Sequence, residues 1–454
     1  MLIKNKNQLS ITDLRREACE IIEAGIARVL PTAVMQSSIS YDRSLKTVDV
    51  CSDTYSFSNG RIFVVGGGKA SCLMAVNLRT LLEDANVTDG VVICKGNPPE
   101  INKIQTVQAG HPIPDERGAN GVKKILGLKT QYNIYRNDLI LCLISGGGSA
   151  LMPCPVDGLS LEDKKKVTAL LLTSGADIHE INSVRKHLSK IKGGRLGYYF
   201  SPATVISLIL SDVIGNDLSV IASGPTVPDS STYAEAYAVL EKYDLVSKLP
   251  NSAVDILRRG CQGLLEETPK SLTNCHNYII GDNSLALQAM SRIARELGYR
   301  PRIITAELKG DTSAAAFSIA KEVKNHLDSG YDALILGGET TIQLPQNFGK
   351  GGRNQHYAAA SLLAMEEFTG EWVVASAGTD GSDYLPDVAG AMVDNNSLLE
   401  LRKVNVDVNA FIRSCDSNTL LKKLGNSLIV TGDTGTNVGD ILVYLFKQDP
   451  PARG

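Results

Sequence analysis

Short apolar runs alternate with amphipathic stretches along most of this chain. Leu14, Ala18, Ile21, Ile22 and Ile26 recur at helical spacing, which predicts a first helix from Thr12 or Asp13 to about Val29, with Pro31 ending it. One theme then repeats: an apolar run ends in small residues and a helical pattern follows. Ile62 to Val65 leads into Gly66-Gly67-Gly68-Lys69, Leu139 to Ile144 into Ser145-Gly146-Gly147-Gly148-Ser149, and Val205 to Leu210 into Ser211-Asp212. Leu334 to Leu336 leads into Gly337-Gly338-Glu339, and Trp372 to Ala375 into Gly378-Thr379-Asp380.

Continuous apolar runs are the pattern of strands buried on both faces, as in parallel sheets. Their alternation with helical segments predicts βαβ units and an α/β fold. Ligands of such sheets bind beyond the carboxyl ends of the strands, where these small-residue turns fall. A Pro/Ser/Thr-rich turn, Ser223 to Thr232, and a fresh apolar run at Asn277 to Ile280 predict two domains, 1–240 and 241–454. The boundary falls within 225–275, and the last strand is free to return to the N-terminal domain. No internal repeat or low-complexity tract interrupts the chain.

The length of 454 residues agrees with two or three domains. A hydrophobic fraction of 43% is enough for ordinary cores. The near balance of 46 basic and 49 acidic residues gives no basic field for nucleic acid or an anionic membrane. Nine scattered cysteines without a CxxC pair are expected to be reduced thiols, and no apolar run is long enough to span a bilayer. The six histidines form no zinc pattern, and a cytoplasmic location is expected.

Five segments carry candidate chemistry. Gly66 to Ser71 follows a strand and opens a helix, where backbone N–H groups and the helix dipole suit an anion and Lys69 adds a charge. It is not a phosphate loop of the GxxxxGK type, since Phe63 stands where that loop needs glycine, and Ser71 spoils the dinucleotide fingerprint. Ser145 to Ser149 is a second potential nest of N–H donors, with close helix–sheet packing as the plain alternative. Asp212 sits just past a strand. Arg353, Asn354 and Gln355 follow a glycine turn, and a guanidinium there suits a carboxylate or phosphate. Asp380, Asp383 and Asp387 crowd one loop, which suits Mg²⁺ or a general base. The polar run Ile181 to Leu196, with Arg185, Lys186, His187, Lys190, Lys192 and Arg195, is expected to be mostly a solvated helix face.

Together these segments, with HPIPDERG (His111 to Gly118), SDVIGNDLSVIASGPTVPD (Ser211 to Asp229) and TGTN (Thr434 to Asn437), resemble the class II glycerate kinase, or glycerate 2-kinase, family. The likeness runs from about Asp13 to Leu445. It implies an N-terminal Rossmann-like domain, mostly parallel and flanked by helices, a C-terminal α/β domain, and an active-site cleft between them. It implies ATP, Mg²⁺ and D-glycerate, with phosphate transferred to the 2-hydroxyl. Lys69 and Arg353 are the positions that match the family's active-site lysine and arginine, with Asp212 or Asp380 as base. Gly66, Gly67, Gly68, Ser145, Gly146, Gly147, Gly148, Ser149, Glu339 and Asn354 are then the binding positions, and Asp212, Asp380 and Asp383 the metal candidates. His356, Asn216 and Asp433 depart from the family pattern. The alternatives are a hydroxypyruvate reductase and a non-catalytic metabolite-binding protein. Monomer and homodimer stay open.

Overall fold

A computed structural model of the chain describes residues 1–57, 60–82, 87–325 and 330–447. It divides into two units. The first is Val34–Ile280, and the second combines Met1–Ala33 with the chain from Gly281 onward.

The first unit opens with a small antiparallel sheet of β1 (Ile39–Asp42), β2 (Thr47–Val50) and β3 (Asp53–Ser56). Its main sheet has six strands: β4 (Ile62–Gly67), β5 (Val87–Cys94), β6 (Gln105–Gln108), β7 (Leu139–Ser145), β8 (Thr204–Leu210) and β9 (Cys275–Gly281). They lie in the order β6-β5-β4-β7-β8-β9. The pairs from β6 through β8 are all parallel, and every residue of β4 and β7 is buried. From β4 the chain adds β5 and β6 on one side, then crosses to add β7 and β8 on the other. The switch point of the sheet therefore lies between β4 and β7. In open α/β sheets that crevice binds ligands.

The second unit's sheet has β10 (Pro301–Leu308), β11 (Ala333–Gly338), β12 (Glu371–Gly378), β13 (Gly390–Asp394), β14 (Leu428–Ile429) and β15 (Asp440–Lys447). Their order is β10-β11-β15-β12-β13-β14. The last strand inserts between β11 and β12 and runs antiparallel to both. Its apolar residues and those of its neighbours are buried on both faces, so the continuous-run pattern holds here without parallel pairing. The last strand stays in the sheet of the second unit and does not return to the N-terminal domain.

Two segments depart from the expected division at 240/241. The helix expected from Thr12 or Asp13 runs Asp13–Arg28, with Thr12 as its N-cap, but it packs in the second unit. A Cβ at its Gly25 would lie 2.8 Å from Met290 Cγ and 3.0 Å from Ile441 Cδ1, so the glycine lets this helix pack closely against helix Asn283–Glu296 and β15. The Pro/Ser/Thr-rich turn ends no domain. Helices Tyr233–Lys242 and Asn251–Cys261 share one apolar cluster with Leu161–Thr173 and Ile178–His187, and the run after them is β9, an edge strand of the first sheet.

One cysteine expectation is corrected. Cys72 and Cys94 form a disulfide, and the other seven cysteines are free. Cys72 enters helix Ser71–Leu81 directly after β4, and Cys94 ends the adjacent β5, so the fold brings together residues that sequence spacing keeps apart.

Candidate active site

In the first unit the turns after β4 and β7 are tied together. Lys69 N–H donates to Gly146 O at 2.8 Å, and Ala70 N–H donates to Ser145 Oγ at 2.9 Å. Gly66 and Gly67 lie within the sheet, registered with both β5 and β7, so their backbones serve strand pairing, and Gly68 N–H still donates to Ile93 O of β5 at 3.0 Å. Ser145 is buried, and its hydroxyl bridges the turns through Ala70 and Ser71. These three expected binding positions therefore build the scaffold.

The second turn is where acid and bases gather. A Cβ at Gly146 would lie 1.9 Å from Asp212 Oδ2, and one at Gly147 would lie 2.9 Å from His111 Nε2 and 3.2 Å from Lys69 Cγ. Lys69, His111 and Asp212 thus surround the turn at the switch point. His111 was not among the expected site residues, although its motif was visible. Burial, with Lys69 and Lys95 nearby, pushes its imidazole down to about 4, so it is neutral at physiological pH.

The expected solvated face of Ile181 to Leu196 is corrected. Lys186, His187 and Lys192 are buried. Lys186 pairs with Asp229 at 3.0 Å, and His187 is bonded to Ser183 O at 2.7 Å in the manner of a structural histidine.

In the second unit Arg353 begins helix Arg353–Ala364. Its Nε donates to Asp440 Oδ2 at 2.5 Å and its Nη2 to Asp440 Oδ1 at 3.1 Å, while Nη1 pairs with Glu339. Asn354 Nδ2 also donates to Asp440 Oδ1, at 2.9 Å. Burial lifts the Asp440 carboxyl to about 6, against the pull of Arg353 and Asn354. Asp440 was missed in the sequence because it stands alone ahead of the apolar run of β15.

Asp383, expected as a metal candidate, has a different job. Its Oδ1 accepts from Asn354 N–H at 3.0 Å and Asn354 Nδ2 at 3.3 Å. Its Oδ2 accepts from Gln355 N–H at 2.8 Å and Gln355 Nε2 at 2.9 Å. A carboxylate has about four acceptor positions, and four donors fill them. Asp383 caps the helix that carries Arg353. Asp380 lies on the same loop and accepts from Ser382 N–H at 2.9 Å. The structure thus brings Glu339, Arg353, Asn354, Asp383 and Asp440 together in one unit, and Lys69, Asp212 and the second glycine turn together in the other. Among the described residues, no group of three or more His, Cys, Asp or Glu side chains is arranged to hold a metal ion.

A glycine turn at a switch point and an arginine held in place at a helix start are features that suit an anionic small molecule. Residues 17–258 match a domain family of unknown function, DUF4147, and residues 332–440 match the MOFRL family. A glycerate 2-kinase of Pyrococcus horikoshii is 41% identical over 86% of this chain and 88% of its own. A protein of Agrobacterium vitis, provisionally named a hydroxypyruvate reductase, is 38% identical over 85% of this chain and 100% of its own. The crystal structure of a glycerate kinase from Thermotoga maritima superposes with a TM-score of 0.84 at 37% identity, covering 96% of this chain and 100% of that one. The chain belongs to the glycerate 2-kinase family.

Proposed function

We propose that this protein transfers the γ-phosphoryl group of ATP to the 2-hydroxyl of D-glycerate, giving 2-phosphoglycerate and ADP. The observation that carries this reading is the near full-length likeness to glycerate kinases in a chain that keeps Lys69 beside the second glycine turn and Arg353 at its helix start.

Phosphoryl transfer requires mostly positioning and charge stabilisation. The turn Gly146 to Ser149 offers backbone donors to phosphate oxygens. Lys69 neutralises charge on the moving group, and Arg353, aimed by Asp440 and Glu339, binds the carboxylate or phosphoryl oxygens. Asp212 or Asp380 accepts the hydroxyl proton. Mg²⁺ would supply further neutralisation of the phosphates. The donors present suit an ion delivered by the nucleotide, because Mg²⁺ commonly takes one or two carboxylates and completes its shell with phosphates and water. Asp380 and Asp212 are the carboxylates for that role.

Among the described residues, no helix is long and apolar enough to cross a membrane. Seven free thiols fit a reducing compartment, and we assign the enzyme to the cytoplasm; the buried Cys72–Cys94 bond is the one feature that pulls the other way.

An assay with ATP and D-glycerate, coupled to ADP release and read by product analysis, tests the reading, beside an NADH assay with hydroxypyruvate. The expected result is 2-phosphoglycerate and no NADH oxidation. Formation of 3-phosphoglycerate would reassign the acceptor, hydroxypyruvate reduction would restore the oxidoreductase, and ligand binding without turnover would leave a binding protein.

A further inference from the structure

Behind the second glycine turn lie two buried lysines and a half-buried arginine that the kinase reading does not use. Lys192 is 1% exposed, and its Nζ donates to Ser149 Oγ at 3.2 Å and Ala222 O at 3.3 Å. Ser149 Oγ lies 2.6 Å from Ser223 Oγ, which donates to Asn182 Oδ1 at 2.9 Å. Arg185 Nη1 reaches the same Oδ1 at 3.5 Å. Lys164, from helix Leu161–Thr173, is 5% exposed.

Among the described residues, no carboxylate pairs with Lys164, Arg185 or Lys192. Lys164 Nζ, Arg185 Nε and Asn182 Nδ2 are buried with no hydrogen-bond partner. Buried charges are ordinarily paired, and buried donors ordinarily satisfied. Lys186 makes the contrast, since it is equally buried but neutralised by Asp229. The fold supplies a counter-ion one residue from Arg185 and supplies none to the other three.

We propose that Lys164, Arg185 and Lys192, with the Asn182 amide, form a subsite for a phosphate group next to Ser149 on the second glycine turn. That the phosphate belongs to a nucleotide rests on the kinase reading; the subsite itself does not. Three cations and unfilled N–H donors match the charge and the many acceptors of a phosphate. The protonation of the cluster agrees. Burial, with Arg185 close by, pushes Lys164 down to about 7, and burial with Arg185 and Lys164 pushes Lys192 well below the usual lysine range. The acidic group facing both lysines is the Cys154 thiol, itself pushed up by burial. The cluster is therefore undercharged when empty and gains protons when an anion arrives.

Titration calorimetry on the full chain tests this at pH 8 and fixed ionic strength, with ADP, 2-phosphoglycerate and inorganic phosphate as probes. Each is run in two buffers of different ionisation enthalpy. Binding of at least one probe is expected to take up protons. Lys164→Met and Lys192→Met are each expected to weaken that probe at least tenfold and to leave adenosine binding unchanged. Weakening of ADP makes the nucleotide the source; weakening of 2-phosphoglycerate makes it the product; weakening of inorganic phosphate alone makes it free phosphate. Folded variants that bind all three probes as the unsubstituted protein does would overturn the subsite. If neither variant folds, Arg185→Met carries the same test: a tenfold or greater loss for a probe supports the subsite, and unchanged binding of all three probes overturns it. None of these readings needs turnover, so a protein that binds as expected but lacks kinase activity loses only the kinase assignment.

Discussion

Arg353 and Asp440 form a two-point contact: Nε and Nη2 of the guanidinium donate to the two carboxylate oxygens, at 2.5 and 3.1 Å. The pairing fixes the plane of the guanidinium before any ligand arrives, which lowers the cost of ordering it during binding.

This pair gives a pH prediction. Burial lifts Asp440 to about 6, so its ionised form dominates above pH 6 and the contact weakens below it. If Arg353 binds the substrate, kcat/KM should rise with pH through about 6. Stability should move the other way. The folded state binds the Asp440 proton more tightly than the unfolded state, so stability from this group is fully present below about pH 4 and is lost as pH rises through 6. Asp440→Asn is expected to flatten both changes. Arg353→Lys should lower kcat/KM about as much as Arg353→Ala, because an ammonium cannot reproduce a bidentate contact. A kcat/KM profile between pH 5 and 8 that is identical in Asp440→Asn would refute the role given to the pair.

A second prediction separates helix capping from metal binding. Asp383→Ala leaves four buried N–H donors of Asn354 and Gln355 without their acceptor. A loss of about 1–3 kcal/mol in stability is expected, with the Mg²⁺ concentration for half-maximal activity unchanged. A large shift in that concentration at wild-type stability would return Asp383 to the metal.

Much of the fold was legible because burial on both faces leaves little room for polar residues. β4, β7, β8, β11 and β12 all appear as apolar runs, and each ends where small residues begin. Strand direction is not written in such runs. Nothing in Asp440 to Lys447 tells that it threads between β11 and β12 or runs antiparallel to them. The first helix likewise carries its amphipathic pattern without naming its partner, and only Gly25 marks the close approach. Lys69 and Arg353, one in each unit, stood out because glycine turns frame them. Asp440 and the Lys192 cluster did not, because a charged residue inside a folded core reads in sequence like one on a solvated face. The distinction lies in tertiary packing.

Lys69 should be more important to chemistry than to folding. Its backbone N–H, not its side chain, makes the 2.8 Å contact with Gly146 that joins the two turns. Lys69→Ala is therefore expected to keep Tm within a few degrees and to lower kcat by about 10²-fold or more, the range found for removal of one charge-stabilising group. Gly146→Ala acts through the fold instead, since its new Cβ would sit 1.9 Å from Asp212 Oδ2. It should lower both Tm and kcat. Normal turnover in Lys69→Ala would remove the lysine from the mechanism.

The remaining question is which aspartate takes the proton from the 2-hydroxyl. Asp212 follows β8 beside the second glycine turn, and Asp380 lies on the loop after β12, accepting from Ser382. A general base contributes about 10²–10⁴-fold, and its removal should act on kcat and spare substrate binding. A carboxylate that only helps hold Mg²⁺ should instead raise the metal concentration needed, with kcat recovering as Mg²⁺ is increased. Asp212→Asn and Asp380→Asn, each measured across a Mg²⁺ series with saturating ATP and D-glycerate, separate the two roles. The Asp380 variant is expected to lose about 10²-fold or more in kcat that added Mg²⁺ does not restore, because Asp380 lies on the loop whose Asp383 caps the helix that carries Arg353. Should added Mg²⁺ restore Asp380→Asn and leave Asp212→Asn slow, the base is Asp212. Full activity in both variants would mean that neither aspartate accepts the proton.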